Sequence, residues 1–239
     1  MNNRRTLIAA IVGGALLLGA AGLGIIYFVV FAGSSPQKLA LSSPTPSTSA
    51  ATSPDSSAAA GTWTVGSGSQ AGYRVREKLA SLSAPSDAVG RTTAVTGTLT
   101  LTQAGSGYSV PAADFTVDVS KLSSDQSRRD QRIHSQGLES DRYPTATFTL
   151  TSAIALTADA GSGQTIHLSA TGDLTIHGVT KSVTIPIDAR LTGSKIELVG
   201  SISFPFSQFG MTPPSIGGFV SVQSNATMEF QLLLTRQGA

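Results

Sequence analysis

The side chains able to do chemistry are few, and their spacing points away from catalysis. There are three histidines: His134, His167 and His177. A metal site needs two or three such rings converging with carboxylate support. His167 and His177 lie on neighbouring strand-like runs, but His177 stands beside the turn residue Gly178, and convergence is not expected. The chain has no cysteine, which removes thiolate metal sites, iron–sulfur clusters, thiol nucleophiles and disulfides together. Serine is plentiful, yet no Gly-x-Ser-x-Gly elbow sits between a strand and a helix; Gly66-Ser67-Gly68-Ser69 reads as a turn. The acidic residues are few and mostly at loop or outward positions, so no carboxylate pair for glycoside hydrolysis can be identified. Catalytic residues, metal and cofactor are all expected to be none. One polar cluster remains, formed by Arg129, Arg132, His134 and Arg142. An arginine fork matches phosphate oxygens, so this group is a candidate for a phosphate or a quinone oxygen. The competing reading pairs Arg129 with Asp130 and Asp141 across loops. Asn225-Ala226-Thr227 fits a glycosylation sequon and is read as coincidence.

The elements that must position these residues are strands. Val183, Ile185, Ile187, Ala189 and Leu191 alternate with polar residues, as do Ile196, Leu198, Gly200, Ile202, Phe204 and Phe206. Shorter runs of the same kind cover Val95–Leu101, Phe115–Val119, Ala146–Leu150, Ile166–Ile176 and Met228–Leu234. A period of two puts one apolar face inward and one polar face outward. The turn signals Gly105-Ser106-Gly107, Gly161-Ser162-Gly163, His177-Gly178 and Gly193-Ser194 make antiparallel hairpins of these runs. About eight such strands close into a barrel or fold as a sandwich. Residues 123–140 break the pattern with a polar stretch, where Ser124 or Asp125 is the expected cap of one short helix. Tyr143-Pro144 ends it, because the residue before proline avoids helix.

The amino-terminal part has a different composition. Residues 7–32 are almost continuously apolar and carry no charge. As a helix they span about 39 Å, more than a ~30 Å hydrocarbon core and longer than the apolar part of a cleavable signal. Arg4 and Arg5 precede them and nothing basic follows before Lys38, which places the amino terminus in the cytoplasm and the rest outside. Residues 33–60 are rich in Ser, Thr, Pro and Ala and have too little apolar surface to fold, so a disordered linker is expected. The organisation predicted is a cytoplasmic tail over 1–6, a membrane helix over 7–32, a linker over 33–60 and a β-domain over 61–236. The net charge of +2, with no stripe of Lys and Arg, gives no basis for nucleic-acid binding.

Several segments resemble the YceI family. They are the run Phe115–Leu122, the Arg129-Asp130 pair, the run Arg142–Phe148 containing Tyr143-Pro144, the run Thr171–Lys181, and Ser207–Gly210. The resemblance runs in order from about Trp63 to Leu234. It implies an antiparallel, lipocalin-like β-barrel with an elongated apolar tunnel for a polyisoprenoid chain, such as a polyprenyl phosphate or an isoprenoid quinone. The charged opening Ala71–Lys78 and the uncharged loop Thr212–Gly218 depart from the family's usual pattern at the tunnel mouth.

A barrel suits that task physically. A chain of about forty carbons costs on the order of 30 kcal/mol to expose fully to water, as an upper bound. A protein that holds it must supply an apolar sleeve. From the inward-facing series, Phe115, Phe148, Ile176, Phe204, Phe206, Phe219 and Phe230 are the expected lining, with some of them free to act as core plugs instead. Three readings follow. The first is a membrane-tethered, extracytoplasmic binding protein for an isoprenoid lipid, without catalysis. The second is a cell-envelope interaction protein whose barrel is filled by side chains. The third is a hydrolase, which requires convergent polar groups in a pocket.

Overall fold

The period-two runs become antiparallel strands in the computed structural model, which describes residues 35–43, 59–79, 86–213 and 220–237. The strands are β1 (Gly61–Val65), β2 (Gln70–Leu79), β3 (Ser86–Thr92), β4 (Val95–Ala104), β5 (Gly107–Asp118) and β6 (Thr145–Leu150). They continue as β7 (Ile154–Leu156), β8 (Ile166–Ile176), β9 (Val179–Thr192), β10 (Lys195–Pro205) and β11 (Val220–Arg236). On β9, Val183, Ile185 and Ala189 are buried while Thr184, Pro186 and Asp188 are exposed, so one face meets the core and the other meets water. Pro186 has no N–H to give. It stands one residue before Ile187, where the ladder between β9 and β10 stops, so no bond to β10 is forfeited.

The short first strand closes the ring. Trp63 is opposite Leu99 of β4 and Arg236 of β11. The strands β1, β4, β5, β6, β8, β9, β10 and β11 thereby form a closed antiparallel barrel of eight, with edges left only on the added strands β3 and β7 among the described residues. The β2–β3 hairpin extends from β11, and β7 lies on β5. Arg91 of β3 and Ser123 exchange backbone hydrogen bonds of 2.9 and 3.0 Å, which stitch that hairpin to the segment after β5. The β8–β9 turn has positive φ at both His177 (53°) and Gly178 (71°), the hand that matches strand twist.

The expected short helix is α1 (Ser127–Arg132), followed by one wider π turn at Ile133–Gly137. Its start differs from expectation. Gln126 is the N-cap residue and makes no side-chain cap. Asp130, inside the helix, reaches back to accept from the Ser124 N–H (3.0 Å) and hydroxyl (2.6 Å). The carboxylate, with two oxygens, takes both donors of Ser124, whereas a serine cap would have satisfied only one helix amide.

The core has two parts. One cluster gathers round Trp63, Leu99, Leu101, Tyr108, Leu198 and Leu234, at the end of the barrel that carries the Gly105 and Gly193 turns. The other gathers round Leu174, Ile176, Ile185, Phe204, Phe206 and Phe209, at the His177 end. Trp63 (1% exposed) donates its indole N–H to Ala59 O, and Phe209 (0%) meets Phe204 edge-on at 4.8 Å.

Residues 37–43 fall in the stretch whose composition suggests no structure, yet they belong to the same compact unit as the barrel, Gln37–Ala239. They run along its outer wall as a strap. Among the described residues no helix is long and apolar enough to cross a membrane. The predicted tail 1–6, the predicted membrane span 7–32, most of the linker and Phe219 lie outside the described residues.

Candidate ligand-binding cavity

The inward residues of one half of the barrel do not fill it. A cavity of about 730 Å³, counted out to its open mouth, lies within the first cluster. Leu99 of β4, Phe115 of β5, Phe148 of β6, Leu168 of β8, Ala189 of β9 and Leu198 of β10 show how many strands contribute to its wall. Small residues, Ala113, Ala170 and Ala189, face it where larger ones would close it. The wall is almost wholly hydrocarbon and includes the Tyr108 ring; the one charged residue that borders it, Arg190, is at an outward position of β9 and turns its guanidinium to the strap. The Arg190 guanidinium is engaged: it donates to Glu197 Oε2 at 3.0 Å and to Ser42 O of the strap. Such a chamber can hold an apolar chain; among its lining residues it offers no acid–base pair and no nucleophile with a base.

The structure distributes the expected lining residues over both halves. Phe115 and Phe148 line the cavity. Ile176, Phe204 and Phe206 are buried in the second cluster, and Phe230 packs against both clusters. Phe219 lies outside the described residues. The aliphatic wall, Leu101, Val110, Leu150, Ile166 and Leu191 among others, was not singled out from sequence; Leu101, Leu150, Ile166 and Leu191 keep the inward parity of their strands, whereas Val110 is out of step with Phe115 because the β4–β5 register shifts between them.

The basic group lies elsewhere, on and after α1, and none of it lines the cavity. Arg129 pairs with Glu77 at 2.8 Å and with Asp125. Burial works against its charge, but Glu77 and Asp125 outweigh that and hold the guanidinium above its ordinary pKa. His134 Nε2 stands 3.0 Å from Leu122 O, which only accepts, so Nε2 carries the proton and Nδ1 accepts from the Ser140 hydroxyl at 2.7 Å. Arg142 covers the Tyr143 ring at 5.0 Å, and Arg132 stands at the last turn of α1. The neighbouring Val119, Leu122 and Leu138 pack in or against the second cluster, so this polar layer roofs the filled end of the barrel. Tyr73 belongs to the same end. Its buried hydroxyl makes no well-aligned hydrogen bond, although the Ser124 side chain lies beside it, and burial raises its pKa well above the phenol range.

The other histidines are also apart. His167 Nδ1 meets Asp188 Oδ1 at 2.6 Å across exposed positions of β8 and β9. The His177 ring lies tilted against Tyr143, with centroids 4.5 Å apart and an interplanar angle of 57°, and its Nε2 stands 3.6 Å from Glu139 Oε1. Among the described residues no three metal-ligating side chains come together.

A second polar site is on the outside. Glu197 and Glu229 face away from the core by the parity of Ile196, Leu198 and Phe230, yet they are only 8% and 3% exposed. Glu229 accepts from Arg74 Nε (3.3 Å) and Arg91 Nη2 (2.7 Å). Glu197 accepts from the Ser42 N–H (2.8 Å), the Ser42 hydroxyl (2.9 Å), Gln231 (2.7 Å) and Arg190 (3.0 Å). Gln231 also donates to Ala40 O at 3.1 Å, and Arg91 donates to Gln37 O. The strap is thus held by its main chain on an outward row of charged and amide side chains.

The architecture is a closed antiparallel barrel with an apolar chamber in one half. The model of the YceI-like domain matches residues 63–234, and the chain belongs to that family. A UPF0312 protein of Vibrio campbellii is 41% identical over 79 residues, which are 33% of this chain and 37% of that protein. A UPF0312 protein of Vibrio parahaemolyticus matches to the same extent. The aligned part thus spans little more than a third of these curated relatives. Among solved structures, a polyisoprenoid binding domain from Saccharophagus degradans, implicated in plant cell wall breakdown, superposes with a TM-score of 0.54 at 12% identity. That superposition covers 74% of this chain and 99% of the other, a likeness of fold.

Proposed function

We propose that this protein is a membrane-tethered, extracytoplasmic binding protein that holds an isoprenoid lipid by its hydrocarbon chain and performs no chemistry on it. The observation that carries the proposal is the cavity: an apolar chamber whose one charged lining residue is already paired. Each methylene moved from water into such a wall gains about 0.8 kcal/mol, which is enough to retain a prenyl chain without a specific headgroup contact. Membership of the YceI-like family and the fold shared with a polyisoprenoid binding domain support the same ligand class. In this proposal the apolar residues 7–32 anchor the chain in the cell membrane with the amino terminus in the cytoplasm. Phe115 and Phe148 are the lining residues on which it rests. The basic group Arg129, Arg132, His134 and Arg142 is not required, because it roofs the opposite end.

The test is native mass spectrometry of residues 37–239, a unit that contains both hydrophobic clusters, followed by organic extraction. A stoichiometric co-purifying isoprenoid is the expected result and names the cargo. A mass that stays that of the bare protein after incubation with polyprenyl phosphates and isoprenoid quinones would overturn the proposal in favour of an interaction protein.

A further inference from the structure

The cavity stops part of the way along the barrel. β8 shows the division on a single strand: Ile166, Leu168 and Ala170 line the cavity, whereas Leu174 and Ile176 are buried in the second cluster. At about 3.3 Å per residue, the lining stretch covers roughly 13 Å of a strand roughly 33 Å long. Between the two halves lies a layer of four side chains that pack against both clusters: Val117, Phe148, Ile187 and Phe230. Phe148 and Ile187 also line the cavity, so they form its floor, and Val117 and Phe230 complete the layer.

Glycines on the adjacent strands admit the two rings. A Cβ at Gly172 would stand 2.5 Å from Phe148 Cζ, and one at Gly200 would stand 2.5 Å from Phe230 Cζ. No side chain at either position is compatible with the rings where they are. Beyond the floor the core side chains are buried, with Leu174 at 1% and Phe209 at 0% exposure.

We propose that Phe148, with Phe230 behind it, sets the length of hydrocarbon the barrel accepts, so that the ligand is a single isoprenoid chain no longer than the cavity, with its polar end outside the wall. This rests on the lipid-binding reading above. Until the cavity is full, each further buried methylene improves binding by up to about fourfold. Once the chain reaches the floor, added length stays in water and contributes nothing.

The experiment titrates residues 37–239 with geraniol, farnesol, geranylgeraniol and solanesol, read by displacement of a fluorescent prenyl probe and by native mass spectrometry. The expected result is an affinity that rises and then levels off before solanesol. Phe148→Ala should move the levelling-off to a longer alcohol. Ala170→Leu, which adds bulk to the empty wall and leaves the floor intact, should move it to a shorter one and weaken the longest good binder by about tenfold or more. If Phe148→Ala does not fold, Ala170→Leu carries the test alone. Affinity that keeps rising to solanesol, or a plateau that neither variant moves, overturns the floor and leaves lipid binding in place. An absence of binding at every length overturns the lipid-binding reading itself.

Discussion

Removing the Glu197 carboxylate should release the strap, and the size of the effect can be worked from its contacts. Glu197 is 8% exposed and accepts four hydrogen bonds, two of them from Ser42 at 2.8 and 2.9 Å. A bond to a charged group contributes about 1.5–3 kcal/mol before the cost of ordering the partner. Fixing strap residues opposes this by about 1–2 kcal/mol each for backbone freedom, offset in part by the bonds from Gln231 to Ala40 O and from Arg91 to Gln37 O. We therefore expect a coupling of about 1–2 kcal/mol between Glu197 and the strap, beyond the ~0.5 kcal/mol error of additivity. The assay is a cycle of four urea titrations, with Glu197 or Glu197→Ala in chains beginning at Gln37 or at Ala59. Arg190 loses Glu197 in either length but keeps Ser42 O only where the strap is present, so the coupling includes its share. Equal costs in the two lengths would refute the reasoning, because the strap would then owe nothing to Glu197. The pH dependence gives a second readout. Burial alone pushes the Glu197 pKa up, but the bonds from Ser42, Gln231 and Arg190 outweigh it and hold it below the ordinary carboxylate value of 4.5. With the folded pKa below the unfolded one, the stabilisation is complete above 4.5 and disappears as pH falls through the folded value. Hydrogen-exchange protection of the Ser42 amide should follow that course.

Two further substitutions separate roles at the filled end of the barrel. Arg129→Ala removes the partner of Glu77, which is 7% exposed, and a buried charge left alone costs about 3–5 kcal/mol, so a large drop in the urea midpoint is expected with prenol affinity unchanged. Weakened lipid binding at unchanged stability would instead make Arg129 a headgroup residue. Tyr73→Phe should be neutral or stabilising in thermal melts, since the buried hydroxyl makes no well-aligned hydrogen bond; a loss above about 1 kcal/mol would show that Ser124 beside it is a true partner.

Much of the architecture was legible because alternation reports which way a side chain faces. Val183, Ile185 and Ala189 face inward as their spacing requires, and the turns at Gly105, His177-Gly178 and Gly193 fall between paired strands. Alternation does not report height along the barrel axis. Phe115, Phe148, Phe204 and Phe206 all point inward, yet the first two line the cavity and the last two fill the opposite half. Height is fixed by register and by where neighbouring strands lack side chains, as Gly172 does for Phe148. The strap was hidden for a different reason. It is held through Gln37 O, Ala40 O and the Ser42 main chain, with one serine hydroxyl, so its own side chains carry almost no signature. Its receptors, Arg91, Arg190, Glu197 and Gln231, occupy outward positions where charged and amide residues are ordinary.

The family motifs themselves divide between the two halves in a way that bears on what they encode. Phe115 and Phe148 belong to matching segments and stand at the cavity. The Arg129-Asp130 pair does not. Asp130 ties down Ser124, and Arg129 ties α1 to Glu77 of β2, the hairpin strand that lies outside the ring of eight. At this end the gap between β3 and the segment after β5 is bridged by the single backbone pair Arg91 and Ser123, next to Ser124, among the described residues. The Arg-Asp pair therefore acts where the barrel lacks a continuous ladder, fastening helix, connector and hairpin by side chains. On this argument the pair preserves the closed end against which a cavity floor can be built, and its chemistry is fold geometry before it is recognition.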